Sequence, residues 1–260
     1  MLGSRRHILG LGAGVVMTGL VPETAAASDS APLFKVTPSL LPVAGQAGTF
    51  PVRRIYCIGR NYPDHAKEMG GDPKTEPPFF FQKASDAVQI VPAGATVEHP
   101  YPPLTNNYHY ELELVAVLKS GGRNIPEASA LDHVFGYAVG LDMTRRDLQQ
   151  AMKDQRKPWE IGKSFDHAAP IGPILPVVET GHFTKGAIRL TVNGVVKQKD
   201  DLASMIWSVA EQISKLSESS ELVAGDIIFS GTPAGVGPVV RGDVITGHID
   251  GLPDLTIKIV

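Results

Sequence analysis

Two glutamates on one predicted strand are the residues of this sequence best placed to do chemistry. Glu111 and Glu113 lie in the alternating segment 111–118, where residues two apart share a face, so both carboxylates point the same way as Val115 and Val117. The other face is apolar, which indicates a buried strand. Two buried carboxylates repel each other unless one is protonated or a cation lies between them. We favour the cation; the alternative is a strand end that leaves both glutamates in solvent.

A third acid strengthens the case for a metal site. Asp142 directly follows the apolar strand predicted over 135–141, at the corner where a helix is expected to begin with Thr144. Together with Glu111 and Glu113 it offers three oxygen ligands, the type that Mg²⁺ or Mn²⁺ prefers. The other interpretation makes Asp142 a helix-capping acid only.

A histidine and a glutamate form a second candidate pair. A short helix is predicted to start at Pro63 and stop before glycines 70 and 71, which puts His65 and Glu68 on one face, three residues apart. The glutamate would orient the imidazole and support it as a general base. Most pairs of this spacing are surface contacts, but here the pair follows the apolar strand 54–58, and sites are often built at strand ends.

Short strands must carry these side chains. We predict strands at 54–58, 79–82, 111–118, 135–141, 188–192, 226–229, 243–249 and 255–260. Three helices are expected: the one at Pro63, one over 144–153 with Thr144 and Asp147 as a capping box, and one over 203–217. This pattern predicts a strand-rich α+β fold in a single domain, 53–260, preceded by an irregular arm, 28–52.

The amino-terminal segment 1–27 is typical of an export signal. Arg5 and Arg6 precede an apolar stretch, 8–21, and the segment ends in Thr-Ala-Ala-Ala at 24–27, which resembles a twin-arginine leader. The stretch is shorter than the roughly 20 residues of a membrane span. We therefore expect an exported, periplasmic protein with no stable membrane span once the leader is removed. The alternatives are an uncleaved anchor, or a cytoplasmic protein whose start codon is misassigned.

Composition excludes other function classes. The 260 residues carry 24 basic and 27 acidic side chains, a net charge of −3, which argues against a nucleic-acid partner. Cys57 is the single cysteine, so neither an intramolecular disulfide nor a cysteine-rich metal site can form.

Five motifs, in this order, resemble the fumarylacetoacetate hydrolase family over 54–260. They are Gly-Arg-Asn-Tyr at 59–62 with the His65 and Glu68 pair, Tyr-Glu-Leu-Glu-Leu at 110–114, the segment 140–149, Gly-Lys-Ser-Phe-Asp at 162–166, and the glycine-rich loop 231–237. The resemblance implies a rolled mixed β-sheet, a homodimer, and one divalent ion, Mg²⁺ or Mn²⁺, held by Glu111, Glu113 and Asp142. It also implies cleavage of a carbon–carbon bond in an acylpyruvate. The run 76–83 is most similar to the family's bacterial fumarylpyruvate hydrolases of gentisate breakdown.

The resemblance also implies roles for further residues. It places Lys163 among the catalytic residues, as a partner for an oxyanion or water, and Arg146 and Gln149 around the substrate. Thr232, in the loop 231–237, would donate to a substrate carboxylate while the loop's backbone N–H groups approach an anion. The ordinary interpretations are a solvated helix face for Arg146 and Gln149 and a loop charge for Lys163. For the loop 231–237 the alternative is a tight turn. Lys83 is left out of the predicted catalytic set, because it could equally end a strand at the surface.

The resemblance implies a hydrolase that yields pyruvate and a dicarboxylate from fumarylpyruvate, and the His65 and Glu68 pair favours hydrolysis because water must be activated. The alternatives within the family are a decarboxylase of oxaloacetate and a decarboxylase or isomerase of dienoic diacids. A non-catalytic exported carboxylate-binding protein is the alternative from another class.

Overall fold

The computed structural model describes residues 33–71 and 77–260, and the compact unit Thr37–Val260 carries every element given below. The helices are α1 (Pro63–Glu68), α2 (Glu127–Ala130), α3 (Arg146–Asp154), α4 (Glu160–Lys163), α5 (Val177–Thr180) and α6 (Val209–Ser219), with short 3₁₀ turns at Ser85–Ala87, Leu131–His133 and Leu202–Ser204. The strands are β1 (Leu40–Pro42), β2 (Thr49–Pro51), β3 (Arg54–Ile58), β4 (Phe80–Lys83), β5 (Val88–Ile90), β6 (Thr96–His99), β7 (Tyr108–Tyr110), β8 (Leu112–Leu118), β9 (Val134–Leu141), β10 (Thr144–Arg145), β11 (Ala169–Ile171), β12 (Leu175–Pro176), β13 (Ala187–Val192), β14 (Val195–Asp201), β15 (Asp226–Phe229), β16 (Gly237–Val239), β17 (Val244–Ile249) and β18 (Leu255–Ile259).

The strands form mixed sheets. An eight-stranded sheet has the order β4-β3-β15-β8-β9-β11-β5, with β12 added alongside β9, and a five-stranded sheet has the order β14-β13-β17-β18-β6. The pairs β3 with β15, β5 with β11 and β6 with β18 are parallel, and the other pairs are antiparallel. A three-stranded sheet, β10-β7-β16, and the hairpin β1-β2 complete the set. The prediction of a strand-rich α+β fold is confirmed.

Strand β8 lies inside the eight-stranded sheet, between β15 and β9, and both of its faces are covered. Leu112, Leu114, Ala116 and Leu118 point into the larger hydrophobic core, while Val115 and Val117 point into a second, smaller one. The predicted burial of both faces is therefore confirmed. Glu113 shares the face of Val115, so its carboxylate has no route to bulk water along the strand.

The arm over 28–52 is more regular than its composition predicts. Leu41 and Phe50 face each other across the β1-β2 hairpin and pack into the smaller core, because a hairpin buries both side chains while pairing its backbone. The predicted leader, 1–27, and part of the run 76–83 lie outside the described residues. Within the described part of the chain, no helix is both long and apolar enough to cross a membrane.

Two predicted helix starts are wrong. Thr144 belongs to β10, which pairs with β7, so α3 begins only at Arg146 and no capping box forms between Thr144 and Asp147. Asp147 instead accepts hydrogen bonds from the Thr105 hydroxyl and the Asn106 backbone N–H. In α6 the true capping box is formed by Ser208, so the helix starts at Val209 rather than near residue 203.

A buried histidine network ties β6 to β7 next to the acidic strand. His99 has no exposed surface, and its two ring nitrogens lie 2.6 Å from Gln89 Oε1 and 2.6 Å from the Tyr108 hydroxyl. The amide oxygen can only accept, so His99 donates from Nδ1 and accepts the Tyr108 proton at Nε2. Burial, aided by the charge of His167, lowers the pKa of His99 to about 3.

This network predicts an acid-sensitive fold. Since the folded-state pKa of His99 lies below its ordinary 6.5, the unfolded chain binds more protons as the pH drops below about 6.5, and stability is lost until about pH 3. Between pH 7 and pH 5 we expect this group to remove about 2 kcal/mol from the free energy of unfolding. Urea unfolding of the wild type and of His99→Gln at both pH values measures this contribution. An equal pH dependence in the two proteins would contradict it.

Candidate active site

The three acids predicted to converge are brought together by the register of β8 and β9. Leu112 is paired with Leu141, so the next pair outward is Glu111 with Asp142, and the Asp142 N–H donates to the Glu111 carbonyl at 2.8 Å. Glu113 lies opposite Gly140, where Val115 and Phe229 pack too closely to leave room for a Cβ. One oxygen from each of the three carboxylates lies within 4.8 Å of the other two. All three residues are at most 5% exposed.

Three cationic side chains surround these acids. Lys163, at the end of α4, donates from Nζ to Glu111 Oε2 at 2.7 Å, to Asp142 Oδ2 at 2.8 Å and to the Thr144 hydroxyl at 2.7 Å. Arg146 donates to Glu111 Oε1. An ammonium has three N–H donors, so Lys163 has none left in this structure for the oxyanion or water that the sequence analysis assigned to it. Its observed contacts hold two of the three acids in place.

Lys83 is the residue that the sequence analysis left out. Its Nζ lies 2.7 Å from Asp142 Oδ1, donates to the Met143 carbonyl at 3.1 Å and also donates to the Lys163 carbonyl. Its side chain is fully buried. The two-residue period of a strand could have indicated the burial of Lys83, because it puts Phe79, Phe81 and Lys83 on one face. The two phenylalanines line the cleft described below.

The environment treats the acids unequally. Burial opposes ionisation of Glu111, but the charges of Lys163 and Arg146 outweigh it, and the pKa of Glu111 is lowered. Glu113 is in the reverse situation: burial, followed by repulsion from Asp142 and Glu111, raises its pKa well above the ordinary value. The pKa of Lys163 is raised, because the two carboxylates outweigh the effect of burial. The cations around the cluster therefore compensate the charge of Glu113 less than that of Glu111.

A divalent cation fits this cluster. Asp142 Oδ1 forms an ion pair with Lys83 at 2.7 Å, and a carboxylate oxygen has lone pairs for more than one partner, so it can also accept a cation. The ligand atoms are all carboxylate oxygens and are buried, which suits a hard cation such as Mg²⁺ or Mn²⁺. The residues that would hold the ion are Glu111, Glu113 and Asp142, as predicted.

The predicted histidine and glutamate pair is formed on α1. His65 Nδ1 lies 3.0 Å from Glu68 Oε2, and the buried imidazole borders the cleft. The hydrogen bond to His65 outweighs partial burial and lowers the pKa of Glu68, which also accepts from the Gly235 N–H at 3.3 Å. An ionised carboxylate can only accept, so the Nδ1–H of His65 donates this hydrogen bond to Glu68. The unprotonated Nε2 of His65 is then the nitrogen able to act as a base.

Backbone N–H groups of the loop 231–237 bind carboxylates of the protein itself. The Gly231 N–H donates to Glu113 Oε2 at 2.6 Å, which requires a backbone φ of +97°, and the Gly235 N–H donates to Glu68. Thr232 accepts at its hydroxyl from Gln198 Nε2 at 2.8 Å. The Thr232 hydroxyl therefore keeps its own hydrogen for donation in the cleft, which is the role predicted for it. Two of the loop's backbone N–H groups therefore hold Glu113 and Glu68.

Seven of the nine predicted site residues line one cleft. Arg146 and Gln149 lie on the same face of α3, as predicted, with the guanidinium donating to Gln149 Oε1 at 2.7 Å. Asp142 and Glu68 support the cleft from behind without lining it. The lining residues named by the sequence analysis are His65, Glu111, Glu113, Arg146, Gln149, Lys163 and Thr232, and the structure adds Ile58, Gly59, Arg60, Met69, Phe79, Phe81, Lys153 and Trp159.

Several known proteins are similar to this chain in sequence. Residues 54–260 match the family described as fumarylacetoacetate (FAA) hydrolase C-terminal. The chain is 42% identical over 192 residues to a fumarylpyruvate hydrolase of Ralstonia sp., covering 72% of this chain and 95% of that protein. It is 40% identical over 207 residues to a mitochondrial oxaloacetate tautomerase of Homo sapiens, covering 80% and 91% of the two proteins.

A solved structure shares the fold. Fumarylpyruvate hydrolase from Pseudomonas aeruginosa, crystallised in complex with Mn²⁺ and pyruvate, has a TM-score of 0.87 and 55% sequence identity to this chain, and the match covers 88% of this chain and 99% of that one. The mixed β fold implied by the motifs is therefore confirmed. By sequence over 54–260 and by fold, this chain belongs to the fumarylacetoacetate hydrolase family, a family of enzymes.

Proposed function

We propose that this protein is a divalent-metal-dependent hydrolase that cleaves a carbon–carbon bond of an acylpyruvate, with fumarylpyruvate as the preferred substrate. The observation that carries the proposal is the juxtaposition, in one cleft, of a buried three-carboxylate cluster and a histidine whose second nitrogen is held by Glu68. Two relatives support the proposal by their similarity to this chain: the fumarylpyruvate hydrolase of Ralstonia sp. and the enzyme of Pseudomonas aeruginosa crystallised with Mn²⁺ and pyruvate.

The cation site would be formed by Glu111, Glu113 and Asp142. At that position a divalent ion supplies positive charge that stabilises the negative oxygens of a pyruvate enolate as it leaves. Lys163 and Lys83 keep Glu111 and Asp142 oriented through their ion pairs. Arg146, Gln149 and Thr232 line the cleft and would donate hydrogen bonds to the oxygens of the substrate.

Hydrolysis then depends on His65. Its Nε2 accepts a proton from water, and the resulting hydroxide adds to the acyl carbonyl carbon that is bonded to the pyruvyl methylene. The carbon–carbon bond breaks, the electron pair remains on the methylene as the enolate, and the imidazolium returns a proton to give pyruvate. The acyl fragment leaves as a carboxylic acid, which is fumarate for fumarylpyruvate. Glu68 stabilises the imidazolium in between.

Purified protein tests this assignment. We expect Mn²⁺ or Mg²⁺ to support loss of fumarylpyruvate with one pyruvate formed per substrate consumed, and a chelator to stop the reaction until metal is restored. Acetylpyruvate and oxaloacetate are the comparison substrates. Turnover that survives complete chelation would contradict the metal dependence. Conversion of oxaloacetate alone, by decarboxylation or tautomerisation, would reassign the protein within its family, and binding with no turnover of any substrate would make it a carboxylate-binding protein.

We also propose that segment 1–27 exports the folded protein to the periplasm and that the active form is a homodimer. Paired arginines before an apolar stretch support the first proposal, and the family resemblance supports the second. Amino-terminal sequencing of protein from its native host should find a start near Ser28. Light scattering of the purified protein should give twice the chain mass.

A further inference from the structure

The outer part of the cleft carries positive charge that the proposed hydrolysis does not use. Arg146, Gln149 and Lys153 lie at positions i, i+3 and i+7 of α3, and all three border the cleft. Seven helical residues advance the backbone by about 10 Å, so Lys153 stands well beyond Arg146, which contacts Glu111.

An aromatic wall faces Lys153. Its Nζ lies 5.7 Å from the centre of the Trp159 ring, within cation–π range. Trp159 in turn meets Phe79 edge-on at 5.6 Å and packs against Phe81 at 6.1 Å between ring centres. Arg60 lies over the same Phe79 ring at 5.9 Å. The rings thus provide an apolar wall, set at an angle to one another, between the carboxylate cluster and the cations Lys153 and Arg60.

These cations are held near one another. Partial burial, together with the charges of Arg60 and Arg146, lowers the pKa of Lys153. The neighbouring Asp154 accepts a hydrogen bond from Gln150 on the exposed side of α3. Among the described residues, no carboxylate forms an ion pair with Lys153. Positive groups that repel each other in a cleft gain most from an anionic ligand.

We propose that Lys153 forms a second carboxylate subsite that selects acylpyruvates whose acyl chain ends in a carboxylate. The inference rests on the proposed function and names the substrate class of the same site. The pyruvyl end lies at the acids and Arg146, a planar conjugated acyl chain lies against Trp159 and Phe79, and its terminal carboxylate reaches the Lys153 ammonium. A neutral acyl group such as acetyl leaves this subsite unused.

The test compares two substrates in three variants. Lys153→Met keeps the aliphatic stem but removes the charge, Lys153→Arg keeps the charge, and Lys157→Met is the matched control, since Lys157 is an exposed lysine beyond the end of α3. Losing a charged hydrogen-bond partner predicts a fall in kcat/KM for fumarylpyruvate of roughly 10- to 100-fold, mainly through KM. The fall for acetylpyruvate should be at least about ten times smaller, Lys153→Arg should retain most activity, and Lys157→Met should match the wild type.

Equal losses on both substrates, or no loss on either, would overturn the subsite. Failure of the proposed function is a different result: the wild type would then cleave neither substrate. In that event calorimetric titration of the Mn²⁺-treated protein with fumarate still tests the subsite. Weaker binding to Lys153→Met than to Lys157→Met supports it, and equal binding refutes it.

Discussion

Glu113→Gln should lower Mn²⁺ affinity by more than roughly 100-fold. Loss of a residue that only orients a metal ligand already lowers metal affinity by up to about 100-fold, and Glu113 is proposed as a ligand itself. It should also reduce kcat/KM for fumarylpyruvate by roughly 10³-fold or more. The glutamine still accepts the Gly231 N–H bond but carries no charge for the cation. Calorimetric titration with Mn²⁺ and steady-state kinetics measure the two effects.

Stability separates this loss from misfolding. Because the raised pKa of Glu113 means that the metal-free fold disfavours its charged form, Glu113→Gln should unfold at the same temperature as the metal-free wild type or at a higher one. Added Mn²⁺ should raise the unfolding temperature of the wild type but not that of Glu113→Gln. Glu98→Gln, at an exposed glutamate on β6, is the matched control and should behave as the wild type in both assays. Unchanged Mn²⁺ binding in Glu113→Gln would remove Glu113 from the proposed ligand set.

His65→Ala should lower kcat by about 10²- to 10⁴-fold, the range expected for loss of a general base, while leaving Mn²⁺ affinity close to that of the wild type. The effect differs from that of Glu113→Gln because His65 contacts Glu68 rather than the carboxylate cluster. Glu68→Gln should produce a smaller fall in kcat, since the imidazole remains but its orienting charge is lost. Kinetics and Mn²⁺ titration on the same preparations distinguish base from ligand.

The same helix supplies the control. Asp64 and Lys67 form another pair three residues apart on α1, with Nζ and Oδ1 2.8 Å apart, but both side chains are exposed. Asp64→Asn should leave kcat unchanged, because an exposed ion pair contributes little. If His65→Ala retained wild-type kcat, water activation would have to be assigned to another group.

Features that depend on neighbours along the chain could be predicted from the sequence. The common face of Glu111 and Glu113 follows from the two-residue period of a strand, and the His65 and Glu68 contact follows from helical spacing after Pro63. Strands β3 and β15 have the predicted bounds, 54–58 and 226–229, because apolar runs between turn residues mark them locally.

Local signals failed where a distant element competed. Thr144 has the sequence of a helix cap, but pairing with β7 draws it into a strand, and its hydroxyl accepts from Lys163 instead. Met205 and Ile206 continue the helical spacing of the apolar residues in α6 towards the amino terminus. The Ile206 N–H nevertheless donates to the Asn61 carbonyl at 2.8 Å, and α6 starts only at Val209. In both cases a backbone hydrogen bond to a remote strand or loop outweighs a weak intrinsic preference.

The sequence by itself determined which chemical groups are available and which of them share an element: two acids on one strand, a base and its partner on one helix, and a glycine-rich loop. Only the tertiary structure decided that Asp142 lies opposite Glu111, that Lys83 and Lys163 both reach Asp142, and that Lys153 and Trp159 meet at the cleft. The physical reason is range. Side-chain spacing within an element follows from its own backbone geometry, whereas strand register and cleft composition depend on long-range burial and pairing that no local pattern encodes.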